Sequence, residues 1–577
     1  MTPILGRLRP RAALLAAAAG TVLAATAMTA VPADAVSIKS QPLRHIQLLA
    51  VNDFHGNLEP PTGSGGTVSP GGGRPAVPAG GAAYLSTHLK QLRSGKKDSF
   101  TIGTGDMIGA SPLLSAAFHD EPTIEALNLL GLDLSAVGNH EFDEGYAELL
   151  RMQKGGCIRD KDGAQNQNSC AAKDLGGKRF RGAKFDYLAG NVEFTADGTP
   201  LMAATHVEKF HNGAKVGFIG IVTSSTPSIV TASGIKGLSF KDEAEVVNKY
   251  AAQLQAKGIE AIVVLMHEGG SAGSAYNGCS TLGGAARGIN ANVTPAVDVI
   301  VTGHSHSAFN CKAADPAGNP RLVTQAGNYG RLVTDIDLVI DRRTGDVDRQ
   351  ATAANNVIVT RTVTPDAKIT DLMDRYRTYL GPIANKTIGY IGSDITRSTN
   401  AAGESALGDL LADSVRADQS IAGRGPIDIA FMNPGGIRAD LPRGDGAVTY
   451  EEAFAVQPFS NYNVSKTFTG EQVKRILEAG RLPVSGLTYT VTASAPAGNR
   501  VSNVLVGGQP LDLAKKYRVG ANNFLIEGGD GYTTFAEGTD PLYGGVDIDG
   551  FASFLAANSS ASAPYVVPPL DRITRLP

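Results

Sequence analysis

Short, almost uninterrupted apolar runs separated by stretches of helical spacing are the feature that most restricts how this chain folds. The runs are His45–Val51, Phe100–Gly103, Leu134–Val137, Tyr187–Ala189, Val216–Val222, Ala261–Met266 and Val297–Val301. A strand with one face in water alternates apolar and polar residues. A continuous apolar run fits a strand covered on both faces, so residues 45–340 read as an α/β sandwich with buried sheets. Thr62–Gly81 interrupts this pattern with a Gly/Pro/Ser-rich insertion, expected to be a mobile loop. It has no GK[ST] and is not a phosphate-cradling P-loop. Thr364–Leu380 has helical spacing, and Gly381-Pro382 is expected to end that helix. Residues 385–577 repeat an α/β pattern, with helices near Ser405–Asp418 and Glu471–Ala479. The expected organisation is an export signal at 1–35, a catalytic domain at 36–363, a linker helix at 364–384 and a second domain at 385–577. A chain of 577 residues has room for two such large domains.

Export is expected from the first 35 residues. Arg7, Arg9 and Arg11 precede an Ala/Leu/Val-rich stretch, and Ala33-Asp34-Ala35 offers small residues for cleavage after Ala35. The stretch is too rich in Ala to favour a spanning helix, so no stable membrane anchor is expected. Four cysteines agree with an oxidising compartment. Three connectivities are open; 157–170 and 279–311 are favoured because each closes a local loop. No CxxC spacing supports a Cys₄ metal site. The formal net charge of −3 gives no basic surplus, which argues against a nucleic-acid polymer as partner.

Several of the apolar runs end in polar clusters. Val51 leads into Asn52-Asp53-Phe54-His55-Gly56, Ile102 into Gly103-Thr104-Gly105-Asp106, and Val137 into Gly138-Asn139-His140-Glu141-Phe142-Asp143. Met266 leads into His267-Glu268, and Val301 into Thr302-Gly303-His304-Ser305-His306. Ligands of open α/β sheets gather at the carboxyl ends of strands, so these clusters are expected to converge. Five of the ten histidines lie in them. Asp-x-His and His-x-His each put two ligands on alternate residues leaving a strand. A carboxylate such as Asp106 can bridge two cations. Two divalent ions, two Asp and a bridging hydroxide leave a net positive site suited to a phosphate dianion. Metals about 3.5–4 Å apart activate water and clamp phosphoryl oxygens.

In this order, DFHG, GDMIG, GNHEFD, MHEG and GHSH resemble the calcineurin-like metallophosphoesterases. The GNHEFD form, followed by a second domain, resembles their secreted 5′-nucleotidase/UDP-sugar hydrolase branch, over about residues 43–570. The resemblance implies an α/β (α+β) fold: an N-terminal four-layer β-sandwich flanked by helices, a linker helix and a C-terminal α/β nucleotide-binding domain. It implies two divalent metals, of the Zn, Mn, Fe or Co type, with Asp53, His55, Asp106 and His306 on one and Asp106, Asn139, His267 and His304 on the other. Some relatives have Gln where His306 stands. His140 is not a ligand in the family; it would stabilise transition-state charge or protonate the leaving oxygen, oriented by Asp143. Arg438, in Asn433-Pro434-Gly435-Gly436-Ile437-Arg438, would bind phosphate through its planar fork. Phe459 and Phe524 match two rings that sandwich a nucleobase; with no Trp in the chain, stacking would fall to them. Asp530 matches a ribose-binding position, and Asn433 would touch base or ribose. A second phosphate-binding Arg of the family falls on Ala401 here, and Arg397 is the nearest substitute. The implied activity is hydrolysis of nucleoside 5′-monophosphates by a hydroxide held between two metals. A 2′,3′-cyclic phosphodiesterase or UDP-sugar pyrophosphatase is the alternative on the same scaffold.

Overall fold

A computed structural model describes residues 43–159, 168–171, 179–273, 275–423, 425–459 and 461–577. The export-signal reading of residues 1–35 lies outside the described residues. Two six-stranded sheets dominate the first half of the chain. In the first sheet, Arg44–Val51, Ser99–Thr104, Leu134–Ala136 and Asp186–Leu188 run parallel, and Leu332–Ile340 and Ala353–Ile358 complete one side antiparallel. In the second, Lys215–Val222, Ile262–His267, Val299–Thr302 and Pro320–Ala326 run parallel between antiparallel edges at Thr205–Lys209 and Ala308–Ala314.

The apolar runs explain the layering. Ile46, Leu48, Ile102 and Leu134 of the first sheet meet Val216, Phe218, Val263 and Leu265 of the second in one buried core. Leu49 and Val51 face the other way, toward Leu85 and Leu89 of helix Ala82–Arg93 and Leu127 of helix Glu121–Leu130. Ile219, Ile221, Val264 and Met266 pack against helices Glu243–Gln255 and Gly284–Asn292. Each sheet is thus covered on both faces, giving the four layers expected.

Two expectations change. The Thr62–Gly81 insertion is folded: a 3₁₀ turn at Gly63–Gly66 leads into a hairpin pairing Thr67–Val68 with Val77–Pro78. Val68 is buried with Ala79, Ala326 and Leu332. Arg331 Nη1 donates to the Thr67 carbonyl (2.8 Å), and Arg361 Nη2 to those of Pro61 (2.6 Å) and Ala79 (2.7 Å). The second change is at the linker helix, which spans Ala367–Ala384 and runs through Gly381-Pro382. Pro382 removes one backbone hydrogen bond. Burial of Leu380 and Ala384 on either side of it carries the helix through.

The second half holds a five-stranded sheet in the order Val484–Ser485, Ile429–Phe431, Lys516–Asn522, Tyr462–Thr469, Thr539–Val546, with helices Ala406–Ala417 and Gly470–Ala479 where expected. Ser405 and Thr469 cap these helices through side-chain acceptors. Both favoured disulfides form, Cys157–Cys170 and Cys279–Cys311. The second closes a sequence separation of 32 residues. Cys279→Ser/Cys311→Ser is expected to lower unfolding free energy by about 2–4 kcal/mol. Denaturant titration of oxidised wild type against the double variant checks this. Among the described residues no helix is long and apolar enough to cross a membrane.

Candidate metal centre

The carboxyl ends of the central strands bring seven side chains together. Asp53, His55 and His306 offer donor atoms within 4.8 Å of one another, as do Asp106, His267 and His304. Asp106 Oδ2 lies 3.1 Å from His267 Nε2 and 3.6 Å from His55 Nε2, between the two groups. Asn139 Oδ1 is 3.1 Å from His267 Nε2. All the sequence-expected ligands therefore converge. His140 stands beside them, grouped with His55 and Asp106, and its Nδ1 is 2.8 Å from Asp143 Oδ2.

Convergence requires sharp backbone turns. Asp53 (φ 48°), His55 (46°), Asp106 (51°), His304 (68°) and His306 (55°) all occupy the left-handed region. Such conformations cost free energy in residues with a side chain and persist where surrounding structure enforces them, commonly at functional sites. Gly105, also left-handed, sits so close to the next loop that a Cβ would lie 2.5 Å from the Gly138 nitrogen. Any side chain there would push apart the Asp106 and Asn139 loops.

The donor chemistry fits divalent cations. His55 Nδ1 is 2.8 Å from the Gly109 carbonyl and His267 Nδ1 2.7 Å from that of Thr104. A ring that donates Nδ1–H there presents its Nε2 lone pair to the cluster. Burial drives His304 down to about 4 and His306 to about 3, so both rings are neutral at neutral pH. Burial raises Asp53 to about 7. Burial lowers His267, but Asp106 and Asp53 outweigh it and push it up to about 10. A bound cation would supply the positive charge that Asp106 and Asp53 otherwise draw onto His267. At His306, Asn328 Nδ2 lies 3.0 Å from Nδ1 and Arg331 donates to Asn328 Oδ1. Using His306 Nε2 as a ligand requires that amide to turn.

A family model for calcineurin-like phosphoesterases matches residues 46–308, and one for the 5′-nucleotidase C-terminal domain matches residues 381–537. The chain belongs to the calcineurin-like phosphoesterases with a 5′-nucleotidase C-terminal domain. An endonuclease of Bacillus subtilis is 31% identical over 84% of this chain and 38% of its own length. A cell wall protein of Listeria monocytogenes is 33% identical over 85% of this chain and 64% of its own. The chain thus spans less than two thirds of either relative. The crystal structure of a 5′-nucleotidase precursor from Thermus thermophilus superposes with a TM-score of 0.72 at 26% identity, covering 92% of this chain and 99% of that one. Membership of this family implies divalent metal ions, and the Asp/His clusters offer donor atoms of the kind such ions take.

The residues expected from the C-terminal domain fall into two sets. In this chain the Arg438 guanidinium lies 5.7 Å over the Phe459 ring, whose centroid is 5.7 Å from that of His140. Arg438 is close enough to depress the basicity of His55 and His306. Away from that contact, Asn433 Oδ1 accepts from Asn522 Nδ2 (2.9 Å), and its Nδ2 reaches toward Asp530 (3.4 Å). Phe524 lies over Gly529, where a Cβ would meet its ring at 2.5 Å. Arg397 is exposed; its Nη1 donates to the Arg438 carbonyl (3.1 Å), and its Nε is 3.9 Å from Asp440. Its donors serve the backbone beside Arg438.

Three residues with no role assigned from sequence support the centre. Glu141 is buried; its Oε2 accepts from the backbone N–H of Asp106 (2.8 Å) and Gly138 (2.5 Å), and its Oε1 from Met107 (2.8 Å) and Ile108 (3.4 Å). One carboxylate so clamps two ligand-bearing loops. Its presence within GNHEFD was the available signal. Asn52 donates Nδ2 to Asp53 Oδ2 (2.5 Å) and accepts from the Ala326 N–H (2.8 Å), orienting that carboxylate. Tyr329 packs edge-on against His55 (5.9 Å) and His306 (5.7 Å). Glu141→Gln turns an amide NH₂ onto backbone donors. It is expected to weaken divalent-metal binding by roughly 10–100-fold. Calorimetric titration of the metal-free full chain checks it.

Proposed function

We propose that this chain is a metal-dependent phosphoric monoester hydrolase of the 5′-nucleotidase type, releasing nucleoside and phosphate from nucleoside 5′-monophosphates. The observation that carries this is the convergence of Asp53, His55, Asp106, Asn139, His267, His304 and His306, with His140, Phe459 and Arg438 beside them. Asp53, His55, Asp106 and His306 would hold one divalent ion, and Asp106, Asn139, His267 and His304 the second. Bound there, the ions supply an activated water and charge for the phosphoryl oxygens. The chain's own residues do the rest. His140 delivers a proton to the leaving ester oxygen. Burial pulls its basicity down, but Asp143 and Asp106 outweigh this and hold it above the ordinary imidazole range. Asp143 at Nδ1 leaves Nε2 as the proton carrier. Arg438 receives phosphate oxygens, and Phe459, Phe524, Asn433 and Asp530 receive base and ribose. Export fits the two disulfides.

The full chain supplied with Mn²⁺, Zn²⁺ or Co²⁺ is expected to release adenosine and phosphate from AMP in equal amounts. No phosphate with any of the three metals would remove this reading. The similarity to an endonuclease favours phosphodiester cleavage as the second reading, together with 2′,3′-cyclic nucleotides and UDP-sugars. Rates on AMP, cyclic 2′,3′-AMP, UDP-glucose and single-stranded DNA measured side by side decide between them.

A further inference from the structure

We propose that Phe459 is a positioning residue for His140, aligning the proton donor whether or not a nucleobase is bound. This rests on the acid role given to His140 above and adds a second duty to a ring otherwise read as a base platform. His140 opens a single 3₁₀ turn, His140–Phe142, which by itself leaves the imidazole free to rock. The Asp143 bond at Nδ1 fixes one point of the ring. His55 meets it edge-on at 4.9 Å and 73°. Phe459 meets its face, nearly parallel at 28° and 5.7 Å. Together they leave the His140 side chain only 13% exposed.

Phe459 is itself firmly mounted. It follows helix Tyr450–Val456 through Gln457 and Pro458, both buried. The Arg438 N–H donates to the Val456 carbonyl (2.9 Å), and the Arg438 guanidinium lies 5.7 Å over the ring. The phosphate-binding arginine, the aromatic platform and the acid thus form one packed unit built from both halves of the chain. A loosely held acid loses rate steeply, because misplacement by about 1 Å costs up to roughly 100-fold. Phe459 therefore acts on the chemical step as well as on binding.

The test uses ribose 5-phosphate, an alkyl phosphate with no base to stack and a poor leaving group that needs the acid. Phe459→Leu is expected to lower kcat on it by roughly tenfold or more with little change in KM, and Phe459→Tyr, which keeps the ring, to restore it. Unchanged kcat on ribose 5-phosphate together with a raised KM for AMP would overturn the proposal and leave Phe459 a base platform only. A second arm does not depend on turnover. In the metal-free full chain the His140 Cε1–H resonance, assigned by its loss in His140→Gln, is expected to shift in Phe459→Leu and hold in Phe459→Tyr. No shift in Phe459→Leu overturns the proposal, even if wild type releases no phosphate and the activity reading fails by itself.

Discussion

His140→Gln is expected to lower kcat on AMP by about 10²–10⁴-fold while the protein binds metal as wild type does. Gln keeps polarity and similar length but carries no proton to give. None of the seven proposed ligands is touched. The Asp143 contact at 2.8 Å shows where the imidazole is held, and the Asp106 and Asp143 charges favour its protonated form. Asp143→Asn is expected to follow with a smaller loss, since the ring remains but its orientation and charge bias weaken. Steady-state kinetics paired with metal analysis of each preparation measures both. Loss of metal in His140→Gln would instead make His140 a ligand, as its place beside His55 and Asp106 permits.

Asp106→Asn is expected to be the most damaging single change among the ligands. Its Oδ2 lies between His267 and His55, one from each donor group, at 3.1 and 3.6 Å. The substitution would remove a negative charge from between the two ions that these residues would hold. Their mutual repulsion then goes unopposed, and at about 4 Å even an effective dielectric of 20 leaves an interaction of several kcal/mol per unit-charge pair. The expected result is one bound equivalent instead of two and a fall in kcat/KM of more than about 100-fold. Elemental analysis of the dialysed variant alongside AMP turnover checks it. Two retained equivalents would show that Asp106 does not bridge.

Much of this was legible in the chain. The runs around Leu48, Ile102, Leu134, Val263 and Ile300 announce strands buried on both faces, and they are. The clusters after Val51, Ile102, Val137, Met266 and Val301 converge because parallel strands point their carboxyl ends one way. Less visible was how convergence is achieved. Nothing in the letters Asp53, His55, Asp106, His304 and His306 signals a left-handed backbone, which glycine usually marks; here neighbouring loops impose it. Four backbone N–H groups hold the Glu141 carboxylate, so no side-chain pattern exposes its role. The Phe459–His140 contact joins positions 319 apart and depends on how the halves pack. At Thr62–Gly81 composition suggested a mobile loop, but Arg331 and Arg361 supply donors that fold it from 264 and 282 residues downstream.

The proposed reaction rests on two ions acting together at the seven converging side chains. The decisive measurement is a titration of the metal-stripped full chain with Zn²⁺ or Co²⁺, at protein concentrations well above Kd, reading phosphate release from AMP. The expected curve rises to its plateau only on the second equivalent per chain. Full activity at one equivalent, or AMP hydrolysis that survives complete stripping, would contradict it.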